Sequence, residues 1–169
     1  GRIKVFRGDE VDVRSRFAAI AKKMGATYVL RITADDPFKD PFDLLLCKQL
    51  LLASKVDYCC NFSLGSIPLG MDVEGFSAEA LYRSQDLDNT PEAREHVTKP
   101  LRELADFKRL HIEEFRGERT IRFTIDNQED LDFCSCIASQ LEDYNYSWKH
   151  TMNVLQLVTK VEIRAEKKK

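Results

Sequence analysis

Short apolar runs rich in β-branched and aromatic residues alternate with stretches of helical period along this chain. No other feature restricts its fold as much. Tyr28 to Thr33 reads as a continuous buried-type strand and Val56 to Asn61 as another. Arg109 to Glu114 and Arg119 to Ile125 read as two more, joined by Arg116-Gly117, with shorter strands at Ile3 to Phe6 and Val73 to Phe76. Between them Val13, Phe17, Ile20, Ala21 and Met24 recur at helical spacing, and Gly25 ends that helix. Asp40 caps the next, with Pro41 in its first turn. Ser77 opens a short helix through Arg83, and Thr90-Pro91-Glu92 opens another. Asn127 to Leu141 places Leu131, Cys134, Ala138 and Leu141 on one face; Ser147 caps a last helix carrying Trp148, Met152, Leu155 and Val158. This alternation predicts an α/β fold, a mostly parallel sheet flanked by helices. No repeat, low-complexity stretch or linker interrupts it, so residues 1–169 are expected to form a single domain.

Composition excludes several classes. With 26 basic and 28 acidic residues the net charge is -2, without the basic excess of a nucleic-acid binder. No apolar run reaches the roughly 20 residues that span a bilayer, and no signal peptide is present, so a cytoplasmic setting is expected. The five cysteines, an odd number with no CxxC pair, argue against a disulfide framework and a zinc site; they read as small hydrophobes in a reducing compartment. The Lys167-Lys168-Lys169 tail reads as a solvated end.

Chemistry concentrates at two aspartates. Asp35 follows Tyr28–Ala34, and Asp126 follows Ile121–Ile125. Ligands of open α/β sheets bind at the carboxyl ends of strands. Two carboxylates meeting there would hold one Mg²⁺, with a phosphate supplying further oxygens. Each also has a plainer reading: Asp35-Asp36-Pro37 as a turn or cap, and Asp126 as a helix cap. Arg94-Glu95-His96 sets three functional side chains on one turn, for a sugar hydroxyl or an anionic group, or else forms a solvated helix face. Asp72 and Glu74, two apart in an extended segment, suit hydroxyl recognition or metal support, or equally an exposed strand edge. There is no Gly-rich phosphate loop, no GxSxG and no HExxH.

Five segments in order carry a resemblance: Val5-Phe6-Arg7-Gly8-Asp9 through Arg16-Phe17, Arg31 to Pro37, Gly70 to Glu74, Arg94 to Thr98, and Thr124 to Asp130. Together the sequence resembles the cytidylyltransferase family, which includes the CMP-sialic acid and CMP-Kdo synthetases, and within it the spore coat polysaccharide branch. The resemblance implies a nucleotide-diphospho-sugar transferase-like, Rossmann-like α/β fold. It implies an Mg²⁺-dependent enzyme that joins CMP from CTP to an acidic sugar, for surface polysaccharide or glycan synthesis, and releases pyrophosphate. It places Asp35 and Asp126 on the two metal positions, Gly8 and Asp12 near the nucleotide, and Asp72, Glu74, Arg94, Glu95 and His96 on the acceptor-sugar side. A homodimer is expected, with no nucleic-acid or membrane partner.

The sequence also departs from the family pattern. The family's first strand and its Gly/Arg/Lys triphosphate loop are not seen, so the chain reads as the C-terminal portion of the fold, inactive by itself. Ala34 stands where a Gly is usual, Asp36 adds a negative charge beside the metal position, and Gln128 replaces a Pro. These departures favour an alternative, a degenerate non-catalytic homologue acting as a binding or assembly module. A third reading is a related enzyme that transfers sugar from a finished nucleotide sugar, distinguished by releasing a nucleoside diphosphate.

Overall fold

The computed structural model describes residues 3–62, 67–112, 121–141, 147, 149 and 151–156. The chain divides into two compact units. The first comprises Gly1–Arg31, Cys47–Cys60 and Glu74–Ile112; the second comprises Ile32–Leu46, Asn61–Val73 and Glu113–Lys169.

The first unit is built on a four-stranded sheet. Its strands are β1 (Tyr28–Arg31), β2 (Tyr58–Cys60), β3 (Glu74–Ser77) and β4 (Arg109–His111), in the spatial order β1-β3-β2-β4. β3 pairs antiparallel with both β1 and β2, whereas β2 and β4 pair in parallel. Three strands therefore run one way and β3 runs against them, so the α/β class holds but the sheet is mixed, not mostly parallel as the alternation predicts, because β3 is inserted between β1 and β2. Gly75 in β3 allows the sheet to be covered closely: a Cβ there would stand 2.7 Å from Leu51 Cδ1 and 2.8 Å from Leu30 Cδ2.

Helix α1 (Val13–Met24) begins with Asp12, whose side chain accepts from the Ser15 amide, and ends with Gly25 at φ 60°, the left-handed stop its sequence predicts. α2 spans Pro41–Ser54. Ser77 caps α3 (Ala78–Leu87) and Thr90 caps α4 (Pro91–Glu95); α5 covers Lys99–Glu103. α1 packs against α3 and α4. Its buried Arg14 donates to the carbonyls of Ser84 (2.9 Å) and Asp88 (2.6 Å), placing a cation at the carbonyl-rich end of α3, where the helix dipole favours it.

The second unit closes around Phe38, Ile67, Met71, Phe123, Cys134, Ile137 and Val154. Phe38 meets Phe123 edge-on, with centroids 5.5 Å apart. α6 (Gln128–Ala138) starts with a capping box made by Asn127 and Asp130. Residues 151–156 are helical, and the Ser147 carbonyl accepts from the Thr151 amide at 3.4 Å. All five cysteines are free thiols, and only Cys136 is exposed.

Three expected elements differ. Ile3 to Phe6 forms no strand: Ile3 and Val5 are largely exposed, and among the described residues nothing pairs with their backbone. Of the strand expected from Arg119 to Ile125, Arg119 and Thr120 lie outside the described residues, as does the Arg116-Gly117 junction; residues 121–125 form no strand of the sheet and make one isolated parallel bridge, Leu69 to Arg122, where the partner segment turns away at Gly70. The predicted strand from Arg109 stops at His111, and its end at 113–114 lies outside the described residues, as do Trp148 and Val158.

Candidate functional site

The second unit brings the two aspartates together through the backbone. The Ile125 amide donates to the Asp35 carbonyl at 2.9 Å, so the chain carrying Asp126 runs beside the turn carrying Asp35. Both carboxylates face outward. Neither serves as a cap: Asn127 caps α6, and Asp40 Oδ1 accepts from the Phe42 amide at the start of α2. The capping role thus falls to a neighbour in each case, while Asp35 does sit in a turn, as its plainer reading allowed. Asp126 is paired with the Arg122 guanidinium four residues earlier, which also lies 3.5 Å from Asp130. The hydrogen bond that Arg122 donates to Asp126, more than any other influence, raises the pKa of Arg122. Asp130 is held below the ordinary carboxylate range, chiefly by the Asp126 amide.

Beneath Asp35 lies a tight polar knot. Asp36 accepts from the Thr33 hydroxyl and pairs with Lys39 Nζ at 2.8 Å. Lys39 also donates to the Asp72 carbonyl and stands 3.4 Å from Asp72 Oδ1. Only 8% of each of the Asp36 and Lys39 side chains is exposed. Burial pushes the Asp36 carboxyl up, but Lys39 and Thr33 outweigh it and hold the group below its usual value. Gly70 completes the knot at φ 94°; a Cβ there would lie 2.9 Å from the Phe123 carbonyl carbon and 3.2 Å from Asp36 Oδ1.

The other predicted residues occupy different places. Asp72 is committed to Lys39, and its Oδ1 accepts from the Gly70 amide at 3.3 Å. Glu74, two residues on, belongs to the first unit and is buried. It pairs with Arg31 at 2.6 Å and accepts from Tyr58 (2.7 Å) and Thr98 (2.9 Å). It is neither an exposed strand edge nor open to a ligand's hydroxyl. Asp12 caps α1, and Gly8 leaves room for Arg16, whose Cγ would be 2.9 Å from a Cβ at that position. Arg94 donates to Asn89 at 2.9 Å, while Glu95 and His96 are exposed at the end of α4. The loop holding Gly8 and Arg94 do meet electrostatically. The Asp12 and Val11 amides chiefly lower the pKa of Asp9, and Arg16 and Arg94 add to the effect.

Lys39, Thr33 and Arg122 were not singled out from the sequence. Each does sit at helix-like spacing from an aspartate, Lys39 three residues after Asp36 and Arg122 four before Asp126. Tyr58 and Thr98 leave no such trace, being 16 and 24 residues from Glu74.

A mixed α/β sheet flanked by helices, together with the structural match given below, defines a nucleotidyltransferase-like, Rossmann-like protein. The family model described as cytidylyltransferase matches residues 1–157, and the chain belongs to that family. It is 35% identical over 134 residues to an uncharacterized protein of Methanocaldococcus jannaschii (76% of this chain, 53% of that protein). It is 31% identical over 138 residues to the spore coat polysaccharide biosynthesis protein SpsF of Bacillus subtilis (76% of this chain, 54% of that protein). The spore coat polysaccharide branch suggested by the motifs is thereby supported. The chain spans about half the length of these curated relatives. A solved structure of a cytidylyltransferase from Leptospira borgpetersenii superposes with a TM-score of 0.83 at 27% identity, covering 92% of this chain and 67% of that one. No helix among the described residues is long and apolar enough to cross a membrane.

Proposed function

We propose that the protein transfers CMP from CTP to the hydroxyl of an acidic sugar, releasing pyrophosphate, in the synthesis of a surface polysaccharide or glycan. The observation that carries this reading is the hydrogen bond from the Ile125 amide to the Asp35 carbonyl, which sets two outward, uncapped carboxylates on adjacent strands of chain. Family membership supports the CMP unit, and the match to SpsF supports the sugar and polysaccharide role.

The donor set suits a hard cation, since carboxylate oxygens are what Mg²⁺ prefers, with phosphate and water completing its shell. Among the described residues no group of three or more His, Cys, Asp or Glu is arranged to hold a metal ion. When bound, Mg²⁺ would neutralise charge on the phosphate oxygens. Asp35 and Asp126 would hold it, Asp126 exchanging its Arg122 partner for the cation. The sugar oxygen forms a bond to the α-phosphorus, the bond to the β-phosphate oxygen breaks, and pyrophosphate carries away the electron pair. The hydroxyl proton passes to solvent. The protein's share is positioning and electrostatics. Gly8, Asp12, Arg94, Glu95 and His96 belong to the same reading as substrate-side groups. So do a cytoplasmic setting and a homodimer.

One observation favours a second reading, a non-catalytic binding or assembly module: Asp126 is already neutralised by Arg122. Pyrophosphate release by the intact protein from CTP and a panel of acidic sugars with Mg²⁺ separates the two. Asp35→Asn should lower turnover by roughly a hundredfold or more while circular dichroism stays unchanged. Full activity in this variant removes Asp35 from the mechanism. CTP binding without turnover for every sugar supports the second reading.

A further inference from the structure

We infer that Lys39 is a positioning residue for Asp35, acting through a buried clamp that makes Asp36 a strut and not a metal ligand. This rests on the reading of Asp35 as a metal-facing carboxylate. Two adjacent carboxylates at 35 and 36 present a choice that sequence alone leaves open, and the geometry separates them. Asp35 is exposed. Asp36 is turned inward, held through Oδ2 by Thr33 and by Lys39 at 2.8 Å. Its Oδ1 is buried with no hydrogen-bond partner among the described residues, against the position a Gly70 Cβ would take.

The clamp has three jaws. Lys39 reaches Asp36 on its own turn and both the carbonyl and the carboxylate of Asp72. Gly70 is pressed onto the backbone of Phe123 and Thr124, and the Phe123 amide donates to the Leu69 carbonyl at 2.7 Å. The third jaw returns to the start, because the Ile125 amide donates to Asp35. One ammonium thus ties the turn at 33–39 to the turn at 70–72, which is pressed against the segment leading to Asp126. A buried ammonium facing two carboxylates holds their geometry far more tightly than an exposed pair would. It also offsets the charge that Asp36 adds beside the site, so Asp35 and Asp126 remain the carboxylates offered to a cation.

The test compares Lys39→Met with the charge-balanced pair Asp36→Asn/Lys39→Met in the intact protein, together with Asp35→Asn. Affinity for Mn²⁺ in the presence of CTP is read by electron paramagnetic resonance, and stability by thermal melting. Lys39→Met leaves Asp36 buried and unpaired and should lower both stability and Mn²⁺ affinity. The double variant should recover most of the melting temperature, because the buried charge of Asp36 is gone and Asp72 keeps part of its carboxylate in solvent, yet still bind Mn²⁺ at least tenfold more weakly than the wild type, because the tie to Asp72 is gone. Wild-type Mn²⁺ affinity in the double variant overturns the inference and leaves Lys39 a charge-balancing residue only. If Lys39→Met does not fold, the double variant alone decides. Asp35→Asn guards the underlying reading: if it binds Mn²⁺ as the wild type does, the two-aspartate site fails, whatever Lys39 does.

Discussion

At the scale of single residues, the same side-chain type takes opposite roles according to where its partners come from. Asp35 and Asp126 face outward, Asp36 is locked to Lys39, and Asp12 caps α1. Glu74 is the extreme case, a buried carboxylate with three donors drawn from positions 31, 58 and 98. Burial first, then the negative charge of Glu74, raises the pKa of Tyr58 far above that of a free phenol. A raised pKa means that folding holds the phenolic proton more tightly than the unfolded chain does. The stability tied to it is therefore complete below about pH 10, the ordinary tyrosine value, and lost as pH rises beyond it. Tyr58→Phe should flatten that alkaline loss. At neutral pH it should cost about 1–3 kcal/mol, because Glu74 loses a donor where water cannot replace it; chemical denaturation at pH 7 and pH 11 measures both effects. An unchanged pH dependence would place the alkaline transition elsewhere.

At the scale of elements, local signals were reliable where the cause is local. Asp12, Ser77, Thr90 and Asn127 cap helices as their side-chain chemistry dictates, and Gly25 ends α1 in the left-handed conformation. Asn127→Ala should cost about 1 kcal/mol through the lost cap, read as a lower denaturation midpoint; no shift would mean Asp130 alone secures the start of α6. Extended segments were less legible. Ile3 to Phe6 and residues 121–125 have strand-like composition, but a strand exists only if another backbone offers a ladder; among the described residues the first segment has none and the second a single bridge. Gly70 shows the converse, a residue whose importance composition conceals. Gly70→Ala meets both a positive φ and the Phe123 backbone, and should destabilise by roughly 1–3 kcal/mol. It should also weaken metal binding by disturbing the turn beside Asp36. A fully stable Gly70→Ala protein would mean that the 121–126 segment relaxes freely.

At the scale of the whole molecule, two compact units each bury their own core, and the two aspartates both fall in the second. Phe123 is fully buried there, against Phe38, and its carbonyl accepts from the Cys134 thiol at 3.5 Å. Phe123→Ala should cost about 3–5 kcal/mol and speed alkylation of Cys134, whose pKa burial raises, while exposed Cys136 reacts at its usual rate. Unchanged protection of Cys134 would mean that the core collapses to fill the cavity. The α/β class and the helix ends marked by Gly25, Ser77 and Thr90 were readable in the sequence, whereas α3 runs on to Leu87 beyond Arg83, α6 stops at Ala138 short of Leu141, and α5 was not foreseen. The readable features rest on periodicity, capping and turn chemistry that act over a few residues. Three things were decided only by tertiary structure: the reversal of β3 between β1 and β2, the burial of Glu74, and the separation of Asp35 from Asp36 into an outward carboxylate and an inward strut. The physical reason is the same for each. Hydrogen-bond ladders and ion pairs form between groups such as Arg31 and Glu74, 43 residues apart, or Lys39 and Asp72, 33 apart. No local pattern records those encounters; the packing that creates them also removes the water that would otherwise leave every one of these carboxylates alike.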